Sequence, residues 1–396
     1  MGRHPRSLML ALGALTAFGP ISLDVYLPSL PQLGAEFAAS ESLTQLTMSA
    51  CMIGLALGQL LWGPISDRYG RRMPLMIGVA GFAATSVLCA FAPTIEVLIG
   101  IRVVQGLCGA AGMVIARAVV HDLFSGVEAV AAFSTLAAVM GVAPVLAPLI
   151  GGAIVTFSDW RGVFIALAVI GLLMLAVAIL GVPETLDGDH RTTGGMTNDL
   201  RGIGSALRNG RFMMAAITLG IASIALFSYL QLSPFVLQVQ YGLNAQGFAI
   251  VFAVNAVGIT AAANLNRRLA QRRMPGAVIV RWSLTVGTAG ALALTLAGML
   301  HSPLPWLLVP LFIGICTHGL NNPSLTAMAL GYITHSAGSA SAVLGTLSML
   351  LGAFVPPIVS LFGVSATVLG AVMLASFALG LVLVLVAHRP ASARET

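Results

Sequence analysis

"ETLDGDHRTTGGMTNDLRGIGSALRNG" (184–210) is the longest polar stretch in a chain of 396 residues. Almost everything on either side of it is apolar. The chain is 58% hydrophobic and 8% charged, with a mean hydropathy of +0.97, whereas roughly a quarter of the residues of a soluble domain carry charge. Apolar runs of about 20 residues, enough to cross a ~30 Å hydrocarbon core, recur along the whole length. Six precede the polar stretch, at 8–29, 44–66, 73–93, 95–119, 128–154 and 160–182. Six follow it, at 211–233, 245–265, 276–299, 304–329, 339–361 and 365–387. Lipid offers the backbone no hydrogen bonds, so spanning segments are helices or barrel strands, and apolar runs this long are helices. The predicted fold is an all-α integral membrane protein: a six-helix N-terminal half (1–183), a linker (184–210) and a six-helix C-terminal half (211–396).

Charge placement orients these spans. All nineteen basic residues are Arg, and nearly all fall in "DRYGRR" (67–72), "RTTGGMTNDLRGIGSALRNGR" (191–211), "NRRLAQRRMPG" (266–276) and the two termini. By the positive-inside rule that side is cytoplasmic, so a multi-pass protein of a bacterial cell membrane with both termini inside is expected. The opposite loops, such as "PQLGAEFAASES" (31–42) and "PFVLQVQYGLNAQG" (234–247), hold no basic residue. The net charge of +6 therefore needs no nucleic acid. Although the basic start and first apolar run have the look of a signal peptide, the run is long and no small-x-small site follows it, so cleavage is not expected.

The absence of Lys removes whole classes of function. A P-loop needs its lysine on the nucleotide phosphates, and a retinal or pyridoxal Schiff base needs a lysine amine. Cys51, Cys89, Cys108 and Cys316 all lie inside spans without metal-ligand spacing, so neither metal nor cofactor is expected. No G-x-S-x-G or H-E-x-x-H motif is present, which argues against an enzyme. Energy must come from a gradient. "GPISDRYGRR" (63–72) has a partial counterpart in "ANLNRRLAQRR" (263–273), and two weakly repeated halves are the mark of a transporter that rocks around a midplane site.

"GPISDRYGRR" resembles the loop signature of the major facilitator superfamily, "RVVQGLCGAAG" (102–112) its fourth-helix motif, and "APLIGG" (147–152) the fifth-helix antiporter motif of its drug exporters. "LDVYLPSLPQL" (23–33), "ALGQLLWGPISDRYGRR" (56–72) and the Pro-Glu-Thr after span 6 are similar, more closely, to the bicyclomycin and chloramphenicol resistance (Bcr/CflA) branch of drug:proton antiporters. The resemblance implies alternating access and export of small amphipathic drugs, phenicol- or bicyclomycin-like, in exchange for protons by a monomer. A proton-coupled metabolite symporter is the rival reading, with a membrane-embedded enzyme or channel behind it.

Asp24 is the only acid well inside a span. It lies four to seven residues before Pro28 and Pro31, which are expected to end span 1, and Arg102 lies six residues after Glu96 at the start of span 4. At 1.5 Å per residue both sit roughly 6–10 Å below the outer surface. Charges at this depth face a cavity or each other. Burial opposes the charge of Asp24 and a nearby arginine favours it, so Asp24 is the expected proton carrier. Arg102 is expected to hold span 1 by bonding its carbonyls or Asp24 itself.

In "GPISDRYGRR", Gly63 is expected to permit close helix approach. Asp67 would sit against a helix N-terminus of the other half, and Arg71, flanked by Arg68 and Gly70, would pair with Asp122 as a conformational latch. The alternative is that these charges only enforce topology. Gly141, Pro144, Pro148, Gly151 and Gly152 form one stripe of span 5, suited to hinging or sealing, or else to ordinary packing. Tyr26, Gln105, Phe227, Tyr229, Asn255, His318 and Asn322 are candidate substrate contacts, with Gln45, Gln59, Gln231, Phe235 and Asn321 beside them. Bonds between helices would occupy the amides and an interfacial belt the aromatics on the alternative reading.

Overall fold

A computed structural model describes residues 6–186, 204–333 and 337–387. These residues are helical nearly throughout, without a strand among them, and twelve helices are long and apolar enough to cross a membrane. The first is interrupted: α1 (Arg6–Asp24) gives way to a 3-10 turn (Leu27–Ser29) and a short α2 (Leu30–Glu36). Then come α3 (Glu41–Tyr69), α4 (Arg72–Ala90), α5 (Ile95–Leu123), α6 (Gly126–Phe157) and α7 (Trp160–Gly181). After the linker follow α8 (Gly210–Pro234), extended by a π-helical segment (Phe235–Gln240), and α9 (Ala245–Gln271). The last four are α10 (Gly276–Met299), α11 (Leu304–Leu330), α12 (Ala337–Ser360) and α13 (Ala366–Ala387). Most of the linker, 187–203, lies outside the described residues.

Local chemistry sets these ends. Ser40, Thr94, Asp159 and Asn209 each precede a helix and accept a backbone N–H from its first turn, satisfying donors that have no partner within the helix. Gly70, at φ 89°, lets α3 turn into α4 with only Gly70 and Arg71 between them, a conformation that only glycine adopts readily.

The prolines do not end span 1, which runs on to Glu36. Pro28 has no N–H to offer the carbonyl four residues earlier, that of Asp24, so the α-helix breaks there and restarts at Leu30 after the 3-10 turn. α6, in contrast, continues through Pro144 and Pro148 as one helix.

The chain divides into two compact units, Met1–Asn198 with Leu243–Ala253, and Asp199–Gly242 with Val254–Thr396. In the first, helices touch backbone to backbone. A Cβ on Gly54 of α3 would lie 2.0 Å from the Val103 carbonyl oxygen of α5, and one on Gly106 of α5 would lie 2.1 Å from that of Cys51. Small residues give such contacts in lipid, where hydrophobic burial does not drive helices together. In the second unit Gly319 of α11 sits equally close to the carbonyl of Ile259 in α9.

Candidate functional site

Asp24 is the last residue of α1, so the carboxyl stands where the helix breaks. It is only 7% exposed, and it has no ion pair or hydrogen bond among the described residues. A polar group this buried and unpartnered is costly, which marks the position as more than packing.

Arg102 does not bond Asp24 or the carbonyls of span 1. Its Nε donates to the Thr47 carbonyl of α3 (3.2 Å) and its Nη1 to Gln105 Oε1 (2.7 Å). The guanidinium lies over the rings of Tyr26 (4.7 Å) and Phe164 (5.6 Å), and Nη2 has no partner. Arg102 thus holds span 1 through a ring face. The planar cation suits both the fork of acceptors and the stack. It is fully buried with no ion pair to a carboxylate among the described residues. A buried cation without a counter-charge raises the value of any negative charge that comes near.

Tyr26 and Gln105 belong to this same cluster. Tyr26 Oη shares a 2.8 Å hydrogen bond with Thr47 Oγ1 and its ring packs on Phe164, while Gln105 Nε2 donates to Ser86 Oγ at 2.7 Å. Both are completely buried, so they serve as supports inside the first unit and not as an open wall for a solute. The C-terminal end of span 1 is clasped to α7. Glu36 accepts from Trp160 Nε1 (2.6 Å) and from Arg161 Nη1, and Arg161 stacks on Trp160 at 4.3 Å. Neither Phe164 nor this clasp was visible in the sequence, where a tryptophan at a span end reads as an interfacial anchor.

On the α3–α4 side, Arg71 is paired with Asp122. Its Nε donates to Oδ2 (2.8 Å) and its Nη2 to Oδ1 (3.3 Å), while Nη1 bonds Ser66 and Asp67. Burial works against the charge of Arg71, but the two carboxylates outweigh it and raise its hold on the proton. Two expectations fail. A Cβ on Gly63 would meet nothing within 4 Å among the described residues, so the glycine is not needed there for a close contact within the first unit. Arg68 is exposed and lies over its neighbour Tyr69 at 5.3 Å, outside the ion-pair cluster.

Glu184, after span 6, is the residue that sequence reasoning missed. Its carboxylate accepts the backbone N–H groups of Arg71 (2.8 Å), Arg72 (3.2 Å), Thr185 and Leu186 (both 3.1 Å), and Thr185 Oγ1 donates to Asp122 at 3.1 Å. One acid thus caps the start of α4 from 113 residues away in sequence. The Pro-Glu-Thr tripeptide was a signal, but nothing in it named the partner. Burial pushes the Glu184 carboxyl up, yet the four amides outweigh it and hold it below its usual 4.5. Stabilisation from this carboxylate is therefore complete above the ordinary value and is lost as pH falls through the lowered one. Glu184→Gln is expected to cost about 1 kcal/mol, the scale of a lost helix cap, and to flatten the acid limb of the unfolding-temperature profile in detergent. An unchanged acid limb would count against the cap.

Within the second unit, Tyr229 accepts from Asn255 Nδ2 at 2.8 Å and Gln231 donates to the Gly352 carbonyl at 2.8 Å. Asn321 accepts from Ser283. These buried groups bind helix to helix. Phe227, His318 and Asn322 keep some exposed surface, and Phe235 is buried. On α6, Gly151 lies against the break in span 1, where a Cβ would stand 2.0 Å from the Val25 carbonyl oxygen.

Twelve spans, two units and an ion-paired loop after the second span are now in place, and a profile of the Major Facilitator Superfamily matches residues 10–357. The chain belongs to the Major Facilitator Superfamily. This facilitator is a transporter, not an enzyme. It is 38% identical over 387 residues to the Uncharacterized MFS-type transporter YdgK of Bacillus subtilis (strain 168), covering 96% of this chain and 94% of that one. Similarity at 28% extends to a Bicyclomycin resistance protein homolog of Haemophilus influenzae, over 89% and 88% of the two chains. The Multidrug transporter MdfA of Yersinia pestis bv. Antiqua (strain Angola) is 29% identical over 89% and 86%. Among solved structures a D-xylose-proton symporter shares the fold, with a TM-score of 0.76, 16% identity and coverage of 95% and 97%.

Proposed function

We propose that this facilitator exports small amphipathic compounds in exchange for protons, as a member of the Bcr/CflA branch, by alternating access between its two six-helix halves. Both termini lie in the cytoplasm, and a single chain suffices. The observation that carries the reading is Asp24, a lone acid buried at the break of span 1 without a partner. Such a group can take a proton from one side and give it up to the other, because no fixed ion pair holds its charge. Arg102, on its aromatic seat, favours the ionised state whenever the two come together. The names of two relatives, a bicyclomycin resistance homolog and a multidrug transporter, support drug-like cargo. The Arg71–Asp122 pair is the cytoplasmic latch, closed in the outward-open state and released in the inward-open one.

One titrating acid means one proton per cycle. Exchange for a neutral solute then moves one net charge, worth ~2.3 kcal/mol per 100 mV, while exchange for a monovalent cation moves none. In proteoliposomes without a pH difference, an imposed potential is expected to drive a neutral phenicol and leave a monovalent cation undriven. Equal driving of both would require a second proton carrier. Movement of solute and proton in the same direction would replace the exporter with a symporter.

A further inference from the structure

The second half of the chain is almost free of acids. Residues 200–394 include ten arginines and neither an aspartate nor a glutamate, and the ion pairs among the described residues all lie in the first unit. Four of those arginines, Arg267, Arg268, Arg272 and Arg273, crowd the end of α9 and the turn into α10. All four are exposed, and none has an ion pair or a side-chain hydrogen bond among the described residues. Arg273 stands at φ 60°, in the left-handed region where glycine ordinarily closes a helix. An arginine there serves through its side chain and not its backbone. The dipole of a helix favours cations at its C-terminus only within the last turn, and orientation in the membrane needs charge on one side without needing it on one face.

Two of the four do share a face, and it is a particular one. Val254, Val257, Ala261, Leu265, Arg268 and Arg272 follow one another at steps of three or four along α9 and its C-terminal turn, so they form a single stripe. Val254, Val257 and Leu265 are 54%, 55% and 47% exposed. The packed sides of the helix are others: Asn255 donates to Tyr229 of α8, the Ile259 carbonyl meets Gly319 of α11, and Asn266 donates to the Leu320 carbonyl of α11. Over 254–265 the apolar part of the stripe runs about 16 Å at 1.5 Å per residue, the depth of one leaflet of a ~30 Å hydrocarbon core. We infer that this face of α9 binds an anionic phospholipid, with its chains along 254–265 and its phosphate on Arg268 and Arg272. Charge complementarity selects this occupant. A zwitterionic lipid brings a cation with its phosphate, which a group of unpaired arginines repels, and no acid of the same half competes for the guanidinium groups. Their forked N–H donors match phosphate oxygens in pairs. The inference is independent of the direction and the coupling of transport.

Native mass spectrometry of the purified protein in detergent, titrated with dioleoylphosphatidylglycerol or dioleoylphosphatidylcholine, tests this. An arginine at an anionic head is worth about fivefold in affinity, so phosphatidylglycerol is expected to bind the wild type about 25-fold more tightly than phosphatidylcholine. Arg268→Gln and Arg272→Gln are each expected to weaken phosphatidylglycerol about fivefold, and their combination about 25-fold, while phosphatidylcholine changes less than about twofold. The single variants carry the test if the double one inserts poorly. Removal of the same charge at the start of α8, as Arg208→Gln with Arg211→Gln, is expected to change either lipid less than about twofold, because these residues lie off the stripe. A phosphatidylglycerol with a diazirine on its acyl chain, in nanodiscs of phosphatidylcholine, is expected to label 254–265. Excess unlabelled phosphatidylglycerol is expected to suppress that labelling, and excess phosphatidylcholine to leave it.

Equal weakening of phosphatidylglycerol by the α8 pair and the α9 pair would reduce the effect to net charge and overturn the site. Labelling suppressed equally by the two lipids would show an ordinary bilayer contact and overturn it as well. Suppression by glycerol phosphate alone would mean that the head is held without the chains, and the lipid would fall as the occupant. Dimers that exclude the probe would replace it with a second copy of the chain.

Discussion

Asp24→Asn is expected to reduce proton-driven export to the level of empty vesicles while the protein still inserts and binds a neutral substrate. The substitution keeps size and hydrogen-bonding capacity and removes titration alone. Asp24 has no ion pair or hydrogen bond to lose among the described residues, so fold stability is expected to change little, unlike the usual penalty for breaking a buried pair. Counterflow, the exchange of labelled for unlabelled substrate without a gradient, separates carriage from coupling and is expected to survive. Gradient-driven export by the Asn variant at the wild-type rate would remove Asp24 as the proton carrier.

Asp122→Ala is expected to be the most destabilising change in the α3–α4 loop cluster. The Arg71 side chain is 8% exposed and that of Asp122 13%, whereas Asp67 is 40% exposed. Stripping the buried partner strands a cation, at about 3 kcal/mol; stripping the exposed one costs about 0–1 kcal/mol. The unfolding midpoint in detergent is therefore expected to fall clearly for Asp122→Ala and scarcely for Asp67→Ala. Replacing both members, as Arg71→Met with Asp122→Leu, is expected to recover most of the lost stability but not the latch, so transport is expected to remain impaired. Equal midpoints for the two single variants would show that Arg71 is solvated in a way its geometry does not suggest.

The twelve spans were legible because apolar length is a direct physical requirement of the bilayer. Their ends agree with the helices to within a few residues at most positions. The exception, span 1, shows where such reading stops: Pro28 breaks a helix locally, but whether the chain leaves the membrane or restarts depends on what the segment after it touches. The Arg71–Asp122 pair was legible because two opposite charges stood at neighbouring ends of successive spans. Glu184 was not, since a carboxylate that captures backbone amides leaves no complementary side chain to find. Arg102 was expected to bond Asp24 or the carbonyls of span 1, and it bonds neither. Its acceptors are a carbonyl, an amide and two rings, none of which advertises itself as a counterpart for a cation.

The interruption at Asp24 divides span 1 into two arms, one of 19 residues and one of 7, about 28 Å and 10 Å long at 1.5 Å per residue. The short arm is bolted to α7 through Glu36, Trp160 and Arg161. Whatever angular play span 1 possesses is therefore taken up by the long arm, with its pivot at the acid. A given swing at that pivot becomes a far larger displacement at the N-terminal tip. The gearing also runs backwards: a push on the inner end of the helix arrives at the carboxyl as a small rotation delivered with mechanical advantage.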